Sequence, residues 1–350
     1  MTDAVVELTG RSPGQVTDAV VELTGRSPGQ VTDAVVALKP MVTMVPSALP
    51  VVHETADVRN DGRPTPALRE ALRHIASWRN AGSVVSLYVQ TGVLIWLSVR
   101  YVWTLPLTFL LMGRAFAQFA SLMHEAAHRL LFADKGANDW VGRWVLGFPA
   151  FTSTDAYRRV HMAHHRDEFG PDEPDMALYA GYPIGPTSFR RKLIRDATGQ
   201  TGFKLMRQLL GNVRSHDRRS RRTVWKILAV QAVLLAAAIV SGHWWLYPVL
   251  WLAPYLTVWR VINRLRSIAE HGGMERSKDR RQTTHSVRQH LLARFMLVPY
   301  HIGWHLAHHV DSGVPFRNLP RFHRALGEAG YVDSSFEYPS YPAIWRALRS

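Results

Sequence analysis

The sequence predicts an all-α integral membrane protein, with four transmembrane helices in two hairpins and a helical cap on the cytoplasmic side. Four apolar runs occur in two closely spaced pairs, and each run is about long enough to cross the roughly 30 Å of bilayer hydrocarbon. The 42 Lys and Arg residues, against 27 Asp and Glu, are concentrated outside the hairpin tips. Clusters of histidine fall on the same side as these basic segments, which the positive-inside rule assigns to the cytoplasm.

The first 66 residues are predicted to be a disordered tail. Residues 2–16 (TDAVVELTGRSPGQV) recur identically at 17–31, and a third, partial copy begins at Thr32. A period of 15 residues is too short for the common stacked helical repeats, and three such copies bury little apolar surface. The rest of the chain divides into a membrane domain, residues 67–326, and a C-terminal tail, residues 327–350.

The predicted spans cover residues 83–99, 103–123, 224–240 and 244–262. The linker Ser241–His243 between the last two contains no Lys or Arg, whereas residues 190–226 contain twelve Lys or Arg and two Asp. The positive-inside rule then places both termini, the middle segment and the histidine clusters in the cytoplasm. Buried helices of a soluble protein are the competing interpretation, and they do not account for this asymmetry.

Composition excludes several classes of protein and site. The chain has no cysteine, so it holds no disulfide, iron–sulfur cluster or thiolate-bound haem. Any metal must be bound by nitrogen and oxygen. The formal net charge of +15 is compatible with nucleic acid, but no helix-turn-helix, zinc-finger or aromatic RNA-binding motif is present, so we predict no nucleic-acid partner.

Three histidine clusters predict a metal centre. The first is H-E-A-A-H, and the other two are H-x-x-H-H, whose spacing puts the side chains on one face of a helix. Neutral imidazole is the commonest metal-ligating side chain. A single histidine, His271, follows the fourth span and brings the number of candidate ligands to nine. A tetrahedral zinc takes four ligands, so nine imidazoles indicate two metals with higher coordination, and nitrogen-rich sites with open positions favour iron. The predicted ligands are His124, His128, His161, His164, His165, His271, His305, His308 and His309.

The three ordered clusters resemble the histidine boxes of the membrane fatty acid desaturase and hydroxylase family, whose members are non-haem di-iron enzymes. HHVDSGVPFRNLPRFHRAL at 308–326 is similar to the C-terminal signature of that family, and the acidic run 172–175 is similar to its Asp-Pro-Asp loop. The resemblance covers roughly residues 78–326. It implies two irons as cofactor, O2 as co-substrate, a lipid or fatty acyl substrate and desaturation of an acyl chain.

The resemblance also leads to expectations about neighbouring residues and partners. Glu125, Glu270, Asp172 and Asp175 are candidates for orienting the ligand rings. His301, which shares a predicted helix face with His305, stands where many family members have Asn, and is either a tenth ligand or a residue beside the ligands. The chain has no haem, nucleotide or cysteine motif, so electrons must come from a ferredoxin or similar small carrier with its reductase, for which a basic face within residues 190–222 is a candidate docking surface.

Three alternatives remain open at this point. The same site could hydroxylate or otherwise oxygenate an acyl chain or another hydrophobic substrate, such as a carotenoid or terpenoid. The H-E-A-A-H cluster also matches the zinc peptidase motif H-E-x-x-H, in which Glu125 would be the general base. A membrane protein that stores or senses metal without catalysis is the third.

Overall fold

The computed structural model describes residues 43–171 and 173–349, and within them the regular structure is helical. Extended pairing in these ranges is limited to two isolated β-bridges. The α-helices, numbered in chain order, are α1 (Pro66–Leu72), α2 (Ser77–Arg100), α3 (Leu105–Ala127), α4 (Lys135–Trp140), α5 (Thr154–Arg166), α6 (Met176–Tyr179), α7 (Pro186–Ala197), α8 (Gln200–Gly211), α9 (Arg218–Val240), α10 (Ala253–Leu256), α11 (Val258–His271), α12 (Leu291–Met296), α13 (His305–Val310), α14 (Leu319–Glu328) and α15 (Tyr341–Ala347).

Three helical segments are long and apolar enough to cross a membrane: Ser77–Arg100, Val102–Ala127 and Arg218–Val240. Only 22% of the apolar window is buried in the first and third of these, against 61% in the second. Side chains such as Trp96 on α2 and Val233 on α9 are exposed. The two outer helices therefore present apolar surface outward, as helices in lipid do, and α3 is the central helix.

The predicted fourth span, residues 244–262, is not one continuous helix. The structure has a π-helix over Tyr247–Leu252, then α10, then α11, with non-helical torsion angles (φ −119°, ψ −84°) at Thr257. The physical reason lies in Pro254, which lacks a backbone donor and crowds the carbonyl of the turn before it, whereas Pro248 lies in the first turn, where proline is tolerated. The prediction of a continuous span is wrong here, and four spans remain a proposal.

The central helix α3 packs along α11, and the two helices end together. Gly113 on α3 lies against Val258 at the start of α11. Further along, Phe116 meets the rings of Trp251 and Tyr255 edge-on at centroid distances of 5.2 and 5.3 Å. This aromatic contact holds α3 against the segment that leads into α11. Together with the Gly113–Val258 contact, it places α11 alongside α3, and the histidine-bearing C-terminal ends of the two helices meet.

The predicted disordered tail is wrong for residues 43–66, because these residues pack against the body of the protein. Val58 is completely buried. Met44 N–H donates to the carbonyl of Gly273 at 2.8 Å, and the Arg281 guanidinium donates to the carbonyl of Pro50 at 2.8 Å. Apolar residues in this segment and backbone bonds to distant residues explain the order. The tandem repeats lie outside the described residues.

The predicted C-terminal tail also packs, through helix α15. Ile344 and Leu348 are completely buried, and the indole N–H of Trp345 donates to the carbonyl of Leu265 on α11 at 2.9 Å. The side chain of Ser340 accepts a hydrogen bond from the backbone of Ala343 and caps the helix. Residues 341–348 thus cover the side of α11 that leads to its terminal histidine.

Candidate metal centre

The nine predicted ligands lie on four helices, and the structure brings all nine together. The first pair comes from the end of α3, where an i, i+4 spacing puts both rings on one face. The two H-x-x-H-H clusters lie on α5 and α13, and a single histidine ends α11. The Ser153 hydroxyl caps the start of α5 at 3.2 Å from the backbone nitrogen of Ala156, which helps to fix the first turn of that helix.

Five of these residues form what we call the first histidine set: His124, His128, His161, His165 and His308. One ring nitrogen from each lies within 4.8 Å of one from every other. The Nε2 atom of His165 is 3.0 Å from the Nε2 atoms of both His161 and His308. Five imidazole nitrogens thus converge on one point from three helices.

The other four residues form the second histidine set: His164, His271, His305 and His309. Ring nitrogens of His164, His271 and His309 lie within 4.8 Å of one another. The Nε2 atom of His305 is 3.0 Å from the Nε2 atoms of both His271 and His309. His165 of the first set and His309 of the second have stacked rings with centroids 4.3 Å apart, so the two sets are adjacent.

The donor atoms in these sets fit a bound metal. Both ring nitrogens of His124, Nε2 of His128 and Nδ1 of His305 are buried and have no hydrogen-bond partner among the described residues. A buried polar atom without a partner is costly and rare in a folded protein. Coordination of a cation would give His124 and His128 the missing partner. Imidazole nitrogen suits iron, zinc or copper rather than calcium or magnesium.

Burial also keeps most of these rings in the form that binds metal. It lowers the pKa of His128 to about 3, and it lowers the pKa values of six other members outside the membrane-spanning helices well below the ordinary value, helped by neighbouring histidines and arginines. The exception is His164: burial alone would lower its pKa, but the hydrogen bond with Glu173 raises it. Neutral imidazole has a free lone pair, so the centre needs little deprotonation before it binds.

Two glutamates orient rings of the second set, and the sequence analysis missed both. The Nδ1 atom of His309 donates to Glu168 at 2.6 Å, and that of His164 donates to Glu173 at 3.0 Å. The Nδ1 atom of His271 donates to the carbonyl of Thr283 at 2.9 Å. Each bond leaves Nε2 as the free acceptor. The available signal was position alone: Glu168 follows the second cluster by three residues, and Glu173 lies inside the acidic run.

The predicted acidic residues differ in how close they come to the histidines. Glu270 lies 3.6 Å from Nδ1 of His305 and accepts a hydrogen bond from Arg266 at 2.6 Å. Asp175 has a carboxylate oxygen within 4.8 Å of His164 and Glu173.

Of the other two predicted acids, Glu125 is not placed beside the rings. Glu125 is buried and accepts a hydrogen bond from the backbone N–H of Phe316 at 3.0 Å, rather than from a histidine. A peptidase would need this carboxylate beside the metal-bound water, so the contact argues against that alternative. Asp172 lies outside the described residues.

His301 is separate from the two histidine sets. The sequence placed it on one helix face with His305, but α13 begins only at His305, and Tyr300 and His301 have positive φ angles of 58° and 64°. Its Nδ1 atom is 3.3 Å from the guanidinium of Arg294, and its ring packs on Trp304. The expected shared face is wrong, because the backbone turns sharply before the helix starts.

A cavity of about 200 Å³ leads from the histidines along α3 and α11. Its wall includes His161, His164, His271 and His305 at one end. Apolar side chains of α3, of α11 and of the segment before α11 form part of the wall, among them Phe116, Trp259 and Tyr255. The remaining lining is polar or charged: Thr152, Tyr157, Asp175, Tyr179, Arg260, Asn263, Arg266, Ser267 and Glu270.

On the other side of the centre, a basic groove of about 740 Å³ opens at the surface and reaches His165 and His309. We call it the arginine groove, because five arginines line it: Arg59, Arg63, Arg69, Arg73 and Arg280. Arg69 pairs with Asp311 at 2.8 Å, and Arg280 pairs with Glu168. Arginines of residues 190–222, the predicted docking face, do not line this groove.

Comparison with known proteins gives the same family as the histidine pattern. A family model described as fatty acid desaturase matches residues 100–340, which is more than half of the chain. Dihydrorhizobitoxine desaturase from Bradyrhizobium elkanii is 25% identical over 246 residues, covering 66% of this chain and 70% of that protein. The matched region contains all nine histidines of the two sets. The chain therefore belongs to the fatty acid desaturase family.

Proposed function

We propose that this protein is an O2-dependent desaturase that introduces a double bond into a fatty acyl chain at a di-iron centre. The observation that carries the proposal is the convergence of nine imidazoles in two adjacent sets, with buried ring nitrogens that lack a partner among the described residues. Each set would hold one iron. Two irons, when bound, supply the activation of O2 that removal of hydrogen from an unactivated C–H bond requires.

The protein's own residues would hold and orient this centre. Glu168, Glu173 and the carbonyl of Thr283 each accept Nδ1–H of a ligand ring and so direct its Nε2 atom toward the metal. The buried walls around the sets would exclude bulk water from the reacting atoms. The cavity between α3 and α11 would position the chain, since its wall includes histidines of both sets.

The reaction needs an electron donor. Desaturation takes two hydrogens from the substrate and reduces O2 to two waters, so two electrons and two protons must be supplied from outside. We assign this role to a ferredoxin or similar small acidic carrier with its reductase, docked on the arginine groove, where His165 and His309 approach the surface. Charge reversal at Arg59 and Arg63, which are exposed, should weaken donor binding about tenfold, whereas reversal at the exposed Arg219 should not.

We further propose that four spans cross the membrane as two hairpins, with the centre and both termini in the cytoplasm. Three apolar helices support this arrangement, and residues 244–262, a broken segment that ends within α11, would supply the fourth crossing. Because the chain has no cysteine, single cysteines report sidedness directly. Ser241→Cys should react with an impermeant maleimide from outside intact cells, whereas Ser215→Cys should react only after lysis. The reverse labelling would contradict the topology.

An alternative within the same site is oxygenation, either of an acyl chain or of another hydrophobic substrate such as a carotenoid or terpenoid. The polar part of the cavity lining favours a substrate that carries polar groups. The relative, dihydrorhizobitoxine desaturase, is likewise not named for an acyl lipid, although its name supports desaturation rather than oxygenation. Mass spectrometry of the product separates the two reactions. Desaturation lowers the substrate mass by two hydrogens, and hydroxylation adds one oxygen, which is labelled when 18O2 is used.

The decisive experiment measures metal content of detergent-purified protein together with O2 consumption. We expect about two irons per chain in wild type, and a loss in both His164→Ala and His308→Ala, one from each set. His301→Ala is the matched control, because that histidine lies outside both sets. A single zinc per chain that is unaffected by either variant would refute the di-iron proposal.

A further inference from the structure

We propose that Arg260 binds the anionic group of the substrate, and that the substrate is therefore an amphiphile with a carboxylate or phosphate. The inference rests on the proposed function and adds the substrate class. Arg260 lines the cavity that also contains His161, His164, His271 and His305. Nothing in the sequence analysis pointed to it, because it lies inside the predicted fourth span, residues 244–262, where only apolar character was considered.

Arg260 differs from the other arginines of α11. Arg264 pairs with Asp196, which is completely buried, and Arg266 pairs with Glu270 at 2.6 Å. Among the described residues, Arg260 has no acidic partner within ion-pair distance. Its Nε atom donates to the carbonyl of Tyr255 at 3.2 Å, and its guanidinium lies 4.2 Å from the centre of that residue's ring.

The contacts with Tyr255 leave one end of the guanidinium without a partner. The Nη2 atom of Arg260 is buried and makes no hydrogen bond to any described residue. Arg260 as a whole is half-buried, its guanidinium is permanently charged, and a buried N–H group of such a cation without an acceptor or counter-ion is unfavourable. Charged side chains within or near a membrane span are correspondingly rare and serve substrates or ions. An anion in the cavity would supply both the missing charge and the missing acceptor.

The position of Arg260 also sets the distance between the anion and the metal centre. Arg260, Asn263, Ser267 and His271 follow each other at intervals of three and four residues, which forms one stripe along α11. Eleven residues separate the first from the last, or about 16 Å at the rise of an α-helix. A substrate held at Arg260 would therefore present to the histidines a carbon well removed from its acid group.

The cavity wall between these ends suits the body of such an amphiphile. Phe116, Ala120 and Met123 of α3 give an apolar side, and Trp259 adds to it near Arg260. An acyl chain that placed its methyl end at Arg260 would leave the guanidinium unpaired and desolvated, which is the costly arrangement. The geometry thus favours the acid end of the substrate at Arg260 and its apolar portion toward the second histidine set.

The test is equilibrium binding of radiolabelled laurate, dodecan-1-ol and dodecyl phosphate to the iron-loaded protein in an uncharged detergent, without reductant. We compare wild type with Arg260→Gln, and use Arg207→Gln, an exposed arginine of α8, as the matched control. Arg260→Gln should weaken binding of the anionic probes about 10- to 100-fold and leave the alcohol unchanged. Arg260→Lys should retain part of the affinity for the anionic probes, because lysine keeps the positive charge but lacks the planar set of N–H donors of a guanidinium.

Each probe's affinity is compared between variants, so its partition into detergent micelles cancels. The measurement needs no turnover, so failure of the desaturase proposal would not affect the result. If Arg260→Gln weakens the binding of laurate most, the substrate carries a carboxylate. If it weakens the binding of dodecyl phosphate most, the substrate carries a phosphate headgroup. Equal loss for all three probes, or no loss for any, would overturn the inference.

A second readout depends on catalysis and separates anchoring from a merely structural role. If the acid is held at Arg260, the position of oxidation counted from the acid carbon should stay the same for laurate, myristate and palmitate. In Arg260→Gln that position should spread over several carbons. Oxidation at a constant distance from the methyl end in wild type would contradict the proposed orientation.

Discussion

Replacement of Glu168 by glutamine should loosen the second iron without unfolding the protein. The carboxylate accepts Nδ1–H of His309 at 2.6 Å and pairs with Arg280, and its side chain is completely buried. Glutamine keeps the shape and one acceptor oxygen, but it removes the negative charge that holds the ring and increases its basicity. Loss of a hydrogen-bond partner that orients a ligand ring lowers metal affinity about 10- to 100-fold. This corresponds to a loss of about 1.4 to 2.7 kcal/mol in the free energy of metal binding.

The assay is competition for iron between the protein and a chelator of known affinity, with bound metal measured by mass spectrometry and helicity by circular dichroism. Glu125→Gln is the matched control, because Glu125 is a buried carboxylate next to the ligand His124 but accepts a hydrogen bond from the backbone of Phe316. Equal iron affinity in wild type and Glu168→Gln would refute the reasoning. An equal loss in Glu125→Gln would show a general effect of replacing a buried acid beside the histidines.

The other predictions concern pH, helix packing and the excluded histidine. Burial lowers the pKa of His285 from 6.5 to about 4. Its contribution to the free energy of unfolding is therefore complete above pH 6.5 and falls as the pH drops toward 4, by about 2 kcal/mol at pH 5. Between pH 7 and 5, the thermal stability of iron-free wild type should decrease more than that of His285→Gln. Gly113→Ala should lower the free energy of unfolding by about 1 to 3 kcal/mol, because the added methyl would overlap Val258, whereas Gly92→Ala, with nothing within 4 Å, should be neutral or stabilising in the same measurement. His301→Ala should leave the chelator-competition curve unchanged, and a shift comparable to that of Glu168→Gln would place His301 among the iron ligands after all.

The clustering of the histidines was predictable because helix periodicity converts spacing in the sequence directly into a shared helix face. Offsets of three and four residues determine which rings point together on α5 and α13, whatever the rest of the fold does. The residues that orient those rings were not predictable in this way. Glu168 reaches His309 across 141 positions of sequence, and only the packing of the chain decides which carboxylate meets which imidazole.

The membrane helices show the same division. Long apolar runs without proline in their interior, such as Ser77–Arg100, appear in the structure much as predicted. Hydropathy alone did not predict the break in the fourth apolar run, residues 244–262. Pro254 in this run is a local signal that could have indicated it. The order of residues 43–66 had no local signal, since it depends on carbonyl partners such as Ala329, which accepts a hydrogen bond from His53.

The distribution of the nine histidines links iron supply to the amount of protein a cell contains. Members of the second set lie between His164 and His309, so only a nearly complete chain contains all four, and metal binding at this set would stabilise the completed fold. By mass action, each tenfold rise in free iron above the dissociation constant adds about 1.4 kcal/mol per site to the free energy of unfolding. If the two sets hold iron as proposed, the chain should unfold more often when iron is scarce, and proteases should remove more of it. Iron limitation should thus lower the half-life of the polypeptide itself, in addition to its turnover number.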